Sequence, residues 1–270
     1  MSSHGMSESG TTTRTADASE SAGLVLLADG VGGFHLCGSA LKQVIARAGL
    51  PLEVRIVTWG HGLGRWHADL TNVGNHISQA ARIVEQVMAY RAFRPAAPVF
   101  LVGKSGGSGL VVRALELLPE GSVEAVALLA PALSPGYDLS KALRAVRREM
   151  VVHHSPMDVL ILGVGTRLFG TVDGVKSIAA GLVGFRVPEG LGSADRASYD
   201  RLRQVRWVPA MTRCGYLGGH FGPDLPAFLR RYVVPLLIAP ADPKAGWHEG
   251  CSNPGGSVVP PSSASSMKEP

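Results

Sequence analysis

Residues 98–109 read Pro-Val-Phe-Leu-Val-Gly-Lys-Ser-Gly-Gly-Ser-Gly. The apolar, β-branched run Val99-Phe100-Leu101-Val102 stops at Gly103-Lys104-Ser105-Gly106-Gly107. Beyond it Leu110, Val111, Ala114, Leu115 and Leu118 recur at offsets of three and four, the period of a helix with one buried face. The stretch therefore predicts a buried strand that turns through G-x-S-x-G into a helix. Such a turn is a nucleophile elbow: glycines flank a serine whose backbone is strained and whose hydroxyl is exposed at the helix N-terminus. Ser105 is the candidate nucleophile. Gly103-Lys104-Ser105 also resembles the end of a phosphate-binding loop, G-x-x-x-x-G-K-[ST], but that motif needs glycine at position 98. Position 98 is Pro98, and the intervening residues are strand-like.

Working outward, the chain alternates between the two periods. Strands are expected at 24–28, 52–58, 98–102, 123–130, 150–153 and 205–210. Helices are expected near 37–48, 75–91, 106–118, 139–148 and 224–237. Strands separated by helical segments specify βαβ units, so the expected fold class is α/β, a mostly parallel sheet with helices on both faces. The connection between Ala130 and Leu139 is short and leaves little room for a lid. Residues 1–22 and 239–270 are rich in Ser, Gly, Pro and Thr and read as disordered tails around one domain at 23–238.

Composition narrows the function classes. The chain has 270 residues, 46% hydrophobic and 17% charged, enough for a sizeable single core. No apolar run reaches the ~18 residues a membrane span needs, and the polar N-terminus lacks a signal-peptide pattern. Cytoplasmic residence is the expectation. The whole chain is +5, and because residues 1–22 contribute −2 and residues 239–270 −1, the segment between them carries +8. Its clusters, Arg144/Arg147/Arg148, Arg201/Arg203/Arg206 and Arg230/Arg231, lack interleaved aromatics and read as solvated faces, not a nucleic-acid surface. Cys37, Cys214 and Cys251 show no metal-ligand spacing; Cys37 and Cys214 read as small buried residues. No metal site and no cofactor are expected. His61 and His67 lack a third ligand, and Gly30-Val31-Gly32 lacks the third glycine of a dinucleotide fingerprint, His35 standing there instead.

A serine hydroxyl becomes a useful nucleophile only beside a base, which itself needs an orienting acid. His220, in Gly-Tyr-Leu-Gly-Gly-His-Phe-Gly between the last strand and the C-terminal helix, is the candidate base. Asp158 follows the strand-like Val-Val-His-His-Ser and opens an apolar helical stretch; Asp173, in Phe-Gly-Thr-Val-Asp-Gly, is the alternative acid. Asp158 is favoured, and both remain open. An oxyanion hole requires two N–H donors. Gly106, after the serine, would give one, and Val31 or Gly32, in the loop 29–35 after the first strand, the other. Val159–Leu162 with Leu168-Phe169 reads as core packing more than as an acyl-binding wall, and Trp59–His67 as a candidate lining for the pocket mouth. His153-His154 reads as packing plus a loop contact.

With Gly103–Gly107, the late His220 and the glycine loop at 30–33 in view, the chain resembles the α/β-hydrolase superfamily of serine hydrolases over about residues 23–238. The resemblance implies acyl transfer through an acyl-enzyme on Ser105, with a small-molecule acyl substrate, most simply a modest carboxylic ester. Two features depart from the pattern. Asp29 stands where a histidine is familiar, and the acid lacks a G-x-x-D context. The rival to an esterase-like enzyme is a non-catalytic, α/β-hydrolase-like binding or scaffolding protein.

Overall fold

A computed structural model describes residues 23–62, 69 and 71–238. The expected tails at 1–22 and 239–270, Cys251 and the Leu63–His67 part of the glycine-rich segment lie outside these residues.

Six strands form one sheet: β1 Gly23–Ala28, β2 Leu52–Val57, β3 Val99–Lys104, β4 Val123–Leu129, β5 Val146–His154 and β6 Leu202–Arg206. Their spatial order is β2-β1-β3-β4-β5-β6, and every neighbouring pair is parallel. The central strands β1 and β3 are buried at every position. This is why Leu24–Ala28 and Val99–Val102 are continuous apolar runs and not alternating ones: both faces of a parallel sheet are covered.

The two faces carry separate cores. On one, α2 (Val73–Phe93) and α3 (Gly107–Leu117) bring Ile83, Val87, Leu110 and Leu115 against Leu24, Leu26, Leu101 and Val126. On the other, α1 (Leu36–Arg47) and the irregular helix 226–237 bring Leu41, Ile45, Phe228 and Val233 against Val25, Leu27, Phe100 and Val102. Alternate side chains of each strand thus point to opposite cores. Cys37 is buried here and Cys214 half-buried, and both are free thiols.

The structure departs from the expected elements at the far edge of the sheet. The helix expected over 139–148 is only Ser140–Arg144, and β5 begins at Val146, four residues earlier than the apolar pattern suggests. Charged residues hide this start: Glu124 lies 3.7–3.8 Å from Arg147 and Arg148, and Glu149 bonds Arg203 at 2.8 Å. β6 is displaced to 202–206 because Pro209 opens a short 3-10 turn, which a strand through 210 cannot accommodate. The 131–139 connection is short. The longer one, 155–201, joins β5 to β6 through several brief helical turns and carries Asp158. No helix among the described residues is long and apolar enough to cross a membrane.

Candidate active site

Ser105 follows the last residue of β3 and holds φ at +50°, a left-handed conformation a non-glycine residue rarely adopts. Backbone bonds fix it: Ser105 N–H donates to the Leu129 carbonyl at 2.9 Å, and its own carbonyl accepts from Ser108 and Ala132 at 3.1 and 3.2 Å. The flanking glycines are steric necessities. A Cβ on Gly103 would stand 2.6 Å from Ser108 Cα, and one on Gly107 would stand 2.1 Å from the Ala28 carbonyl oxygen. Only glycine lets α3 leave the strand this tightly and pass this close to β1.

His220 and Asp158 meet Ser105 from two other loops. His220 Nε2 lies 3.0 Å from Ser105 Oγ, and its Nδ1 lies 2.6 Å from Asp158 Oδ2. With its proton on Nδ1 the ring donates to the carboxylate and turns the Nε2 lone pair toward the hydroxyl. Asp158 is held by its own turn, its N–H donating to the Ser155 carbonyl and its carbonyl accepting from Leu162. The two side chains are 8% and 3% exposed. Burial, and secondarily the Lys104 charge, push the imidazole below its ordinary pKa, so it is neutral at pH 7. Asp173, the alternative acid, is elsewhere: it accepts from Ser134 N–H at 2.9 Å and Ser134 Oγ–H at 2.5 Å.

The loop after β1 lies across the serine. Asp29 Oδ2 accepts from Gly38 N–H at 2.8 Å, so the residue in the familiar histidine position caps the first turn of α1. Burial raises its carboxyl pKa. Of the two donors expected from this loop, Gly32 is not free. Its N–H donates to Asp69 Oδ2 at 2.7 Å. A Cβ on Gly106 would stand 2.9 Å from Val31 Cγ1, so the turn after the serine and the loop after β1 face each other. Asp69, fully buried, also accepts from His61 N–H at 2.7 Å and pairs with His61 Nδ1 at 2.6 Å. Trp59 does not line the mouth; it is buried and donates its indole N–H to the Asp29 carbonyl at 2.8 Å. His153 is buried against Phe228 and Tyr232, and His154, the last residue of β5, bonds the Leu182 backbone.

A cavity of about 270 Å³ opens onto Ser105 and His220. Asp29, Lys104 and Asp224 are among its polar lining, and Phe34, Leu36, Ile161 and Phe221 among its apolar lining. The 159–169 segment expected as core contributes less burial than its composition suggests. Leu162 is buried, Ile161 lines the cavity, and Leu160 and Leu168 are exposed.

Sequence reasoning passed over Lys104, Asp224 and Asp69. A lysine ending an otherwise apolar buried strand was the available signal for the first. Asp224, four residues beyond His220, had chain proximity. Asp69 lies 37 residues from Gly32, with nothing local to mark it.

The chain matches no protein-family model, and a search of curated proteins returns no relative. Among solved structures it is similar to a CIB-like hydrolase from Thermoplasma acidophilum (14% identity, 82% of this chain and 88% of that one, TM-score 0.44). It is also similar to the catalytic core domain of an acetyl xylan esterase from Trichoderma reesei (13%, 77% and 97%, 0.41). A third is a cutinase-like protein from Cryptococcus sp. (17%, 70% and 78%, 0.38). The parallel order β2-β1-β3-β4-β5-β6, with the glycine-flanked serine turn at the end of β3, gives this chain the α/β-hydrolase fold.

Proposed function

We propose that the chain is a serine hydrolase that cleaves small carboxylic esters through an acyl-enzyme on Ser105, its catalytic unit spanning residues 23–238. The observation that carries this reading is the position of His220, 3.0 Å from the strained serine and 2.6 Å from a buried carboxylate. His220 Nε2 takes the Ser105 proton as Oγ attacks the ester carbonyl. Asp158 holds the proton on Nδ1 and stabilises the imidazolium that forms. The tetrahedral oxyanion accepts hydrogen bonds from the Gly106 and Val31 N–H groups. Collapse expels the alcohol, which receives the proton from His220; water, deprotonated by the same imidazole, then releases the acid. Ester and water are the only reactants this sequence consumes.

The cavity supports a small substrate. About 270 Å³ lies at the lower end of ligand-sized pockets, and the Phe34, Leu36, Ile161 and Phe221 wall suits a short acyl or alkyl group. Turnover of p-nitrophenyl acetate, and its decline with lengthening acyl chain, tests this. Ser105→Ala should lower kcat by on the order of 10⁴–10⁶. A folded wild-type protein that does not turn over the ester would instead be a binding protein that keeps the pocket without the chemistry.

A further inference from the structure

Lys104 occupies the variable position before the serine, and a charged residue there is costly. Its side chain is 3% exposed and lies at the end of a strand that is buried throughout. The ammonium is nevertheless well used. Nζ donates to the His220 backbone carbonyl at 2.8 Å and lies 3.7 Å from Asp224 Oδ1. Both partners belong to the loop that carries the imidazole. The Phe221 ring, between them in sequence, lies 5.8 Å from the ammonium. One buried cation thus bonds the base's own peptide, pairs with the carboxylate four residues on, and is covalently adjacent to the nucleophile.

We propose that Lys104 is a positioning residue for His220: it ties the loop 220–224 to the end of β3, so that nucleophile and base share one anchor. This rests on the serine-hydrolase reading for its consequence in rate, though not for its geometry. The loop needs an anchor. Gly218 and Gly219 precede the histidine, with Gly218 at φ +94°, and the chain there has little intrinsic stiffness. An imidazole displaced by about 1 Å loses on the order of 10²-fold in rate.

The charges around the pair set the expected pH behaviour. His220 faces Asp158 beyond β5 and Lys104 on β3, and Lys104 in turn pairs with Asp224 on the histidine's own loop. Asp29, just after β1, and the Cys37 thiol on α1 face the Lys104–Asp224 pair, and the Tyr216 phenol faces Asp158 and Asp224. Burial pushes Asp224 up to about 6, Tyr216 to about 12 and the Cys37 thiol upward, so the phenol and thiol stay neutral at pH 7. Lys104 lowers the His220 pKa, and removing its charge should raise it.

The test compares wild type with Lys104→Met, Asp224→Asn and the double variant, using p-nitrophenyl acetate kinetics and an NMR titration of the His220 ring. Lys104→Met should lower kcat about 10- to 100-fold with little change in KM, and move the His220 titration to higher pH. Asp224→Asn keeps the lysine's bond to the His220 carbonyl, so its loss in kcat should be smaller than that of Lys104→Met. The double variant removes both charges, so it should fold even if Lys104→Met does not, and it should remain impaired. Full activity in the double variant would mean that Lys104 only neutralises Asp224, and the positioning role fails. An unmoved His220 titration in a folded Lys104→Met protein overturns it as well. A wild type that shows no turnover defeats the hydrolase reading instead, and the NMR titration still decides the role of Lys104.

Discussion

Replacing Asp158 with Asn changes almost nothing in shape and should remove most of the activity. Asp158 Oδ2 sits 2.6 Å from His220 Nδ1 with a side chain only 3% exposed, so no water or neighbouring carboxylate can take its place. As an anion it accepts only, which fixes the ring proton on Nδ1. An asparagine can present its amide N–H there, which favours the tautomer with its proton on Nε2, aimed at the serine that needs a base. The imidazolium also loses its counter-charge in a site shielded from solvent. Loss of tautomer control and counter-charge together has a cost of about 10⁴ in kcat, equivalent to about 5 kcal/mol of transition-state stabilisation. Steady-state kinetics with p-nitrophenyl acetate reads this directly, and the matched control is Asp173→Asn. Asp173 bonds Ser134 while His220 Nδ1 is bonded to Asp158, so that variant should keep kcat within a few-fold and lose only stability. An Asp158→Asn enzyme within tenfold of wild type, or an inactive, folded Asp173→Asn enzyme, would refute the assignment.

Further outcomes follow from the titrating groups and the loop donors. His220 must be neutral to act, and its pKa is depressed by burial and by Lys104. kcat/KM should therefore rise with pH through a midpoint below 6.5; a midpoint at or above 7 would contradict the site's electrostatics. His153, enclosed by Phe228 and Tyr232, is pushed by burial down to about 3. Its folded pKa lies below the unfolded value, so the neutral ring contributes fully above pH 6.5 and the contribution is lost as pH falls toward 3, by on the order of 5 kcal/mol. In urea titrations at pH 7 and pH 4, His153→Phe should lose less stability on acidification than wild type; equal losses would show that this ring is not the one being charged. Asp69→Ala removes the acceptor for Gly32 N–H and His61, and should lower kcat by loosening the loop that carries Val31. Unchanged kcat in a folded Asp69→Ala protein would remove Val31 from the oxyanion hole.

The parts legible in the sequence are those with a local physical signature. Val99–Val102 and Leu24–Ala28 announce buried strands because both their faces are covered, and Gly103 and Gly107 announce the turn because nothing larger fits. Ser105 and His220 were legible from the glycines beside them and from chain order. Chain order could rank Asp158 over Asp173 but not decide between them, since both follow β5 and only the 155–201 connection determines which returns to the histidine. The start of β5 was obscured because Arg147, Arg148 and Glu149 form cross-strand ion pairs where an apolar pattern would otherwise mark a strand. Gly32 was indistinguishable from Val31 until Asp69 was seen to occupy its N–H. Lys104 sits in a stretch that resembles the end of a phosphate loop until Pro98 is read; folded, its ammonium bonds the His220 carbonyl.

The central claim is that Ser105 is a nucleophile activated by His220, and one experiment addresses it without assuming a substrate. The folded protein is incubated with a fluorophosphonate, digested, and the phosphonylated peptide is located by mass spectrometry. Stoichiometric modification on Ser105, abolished by Ser105→Ala and strongly slowed by Asp158→Asn, is the expected result. A folded wild-type protein that remains unmodified, or that is modified at another serine at the same rate in both variants, would contradict it.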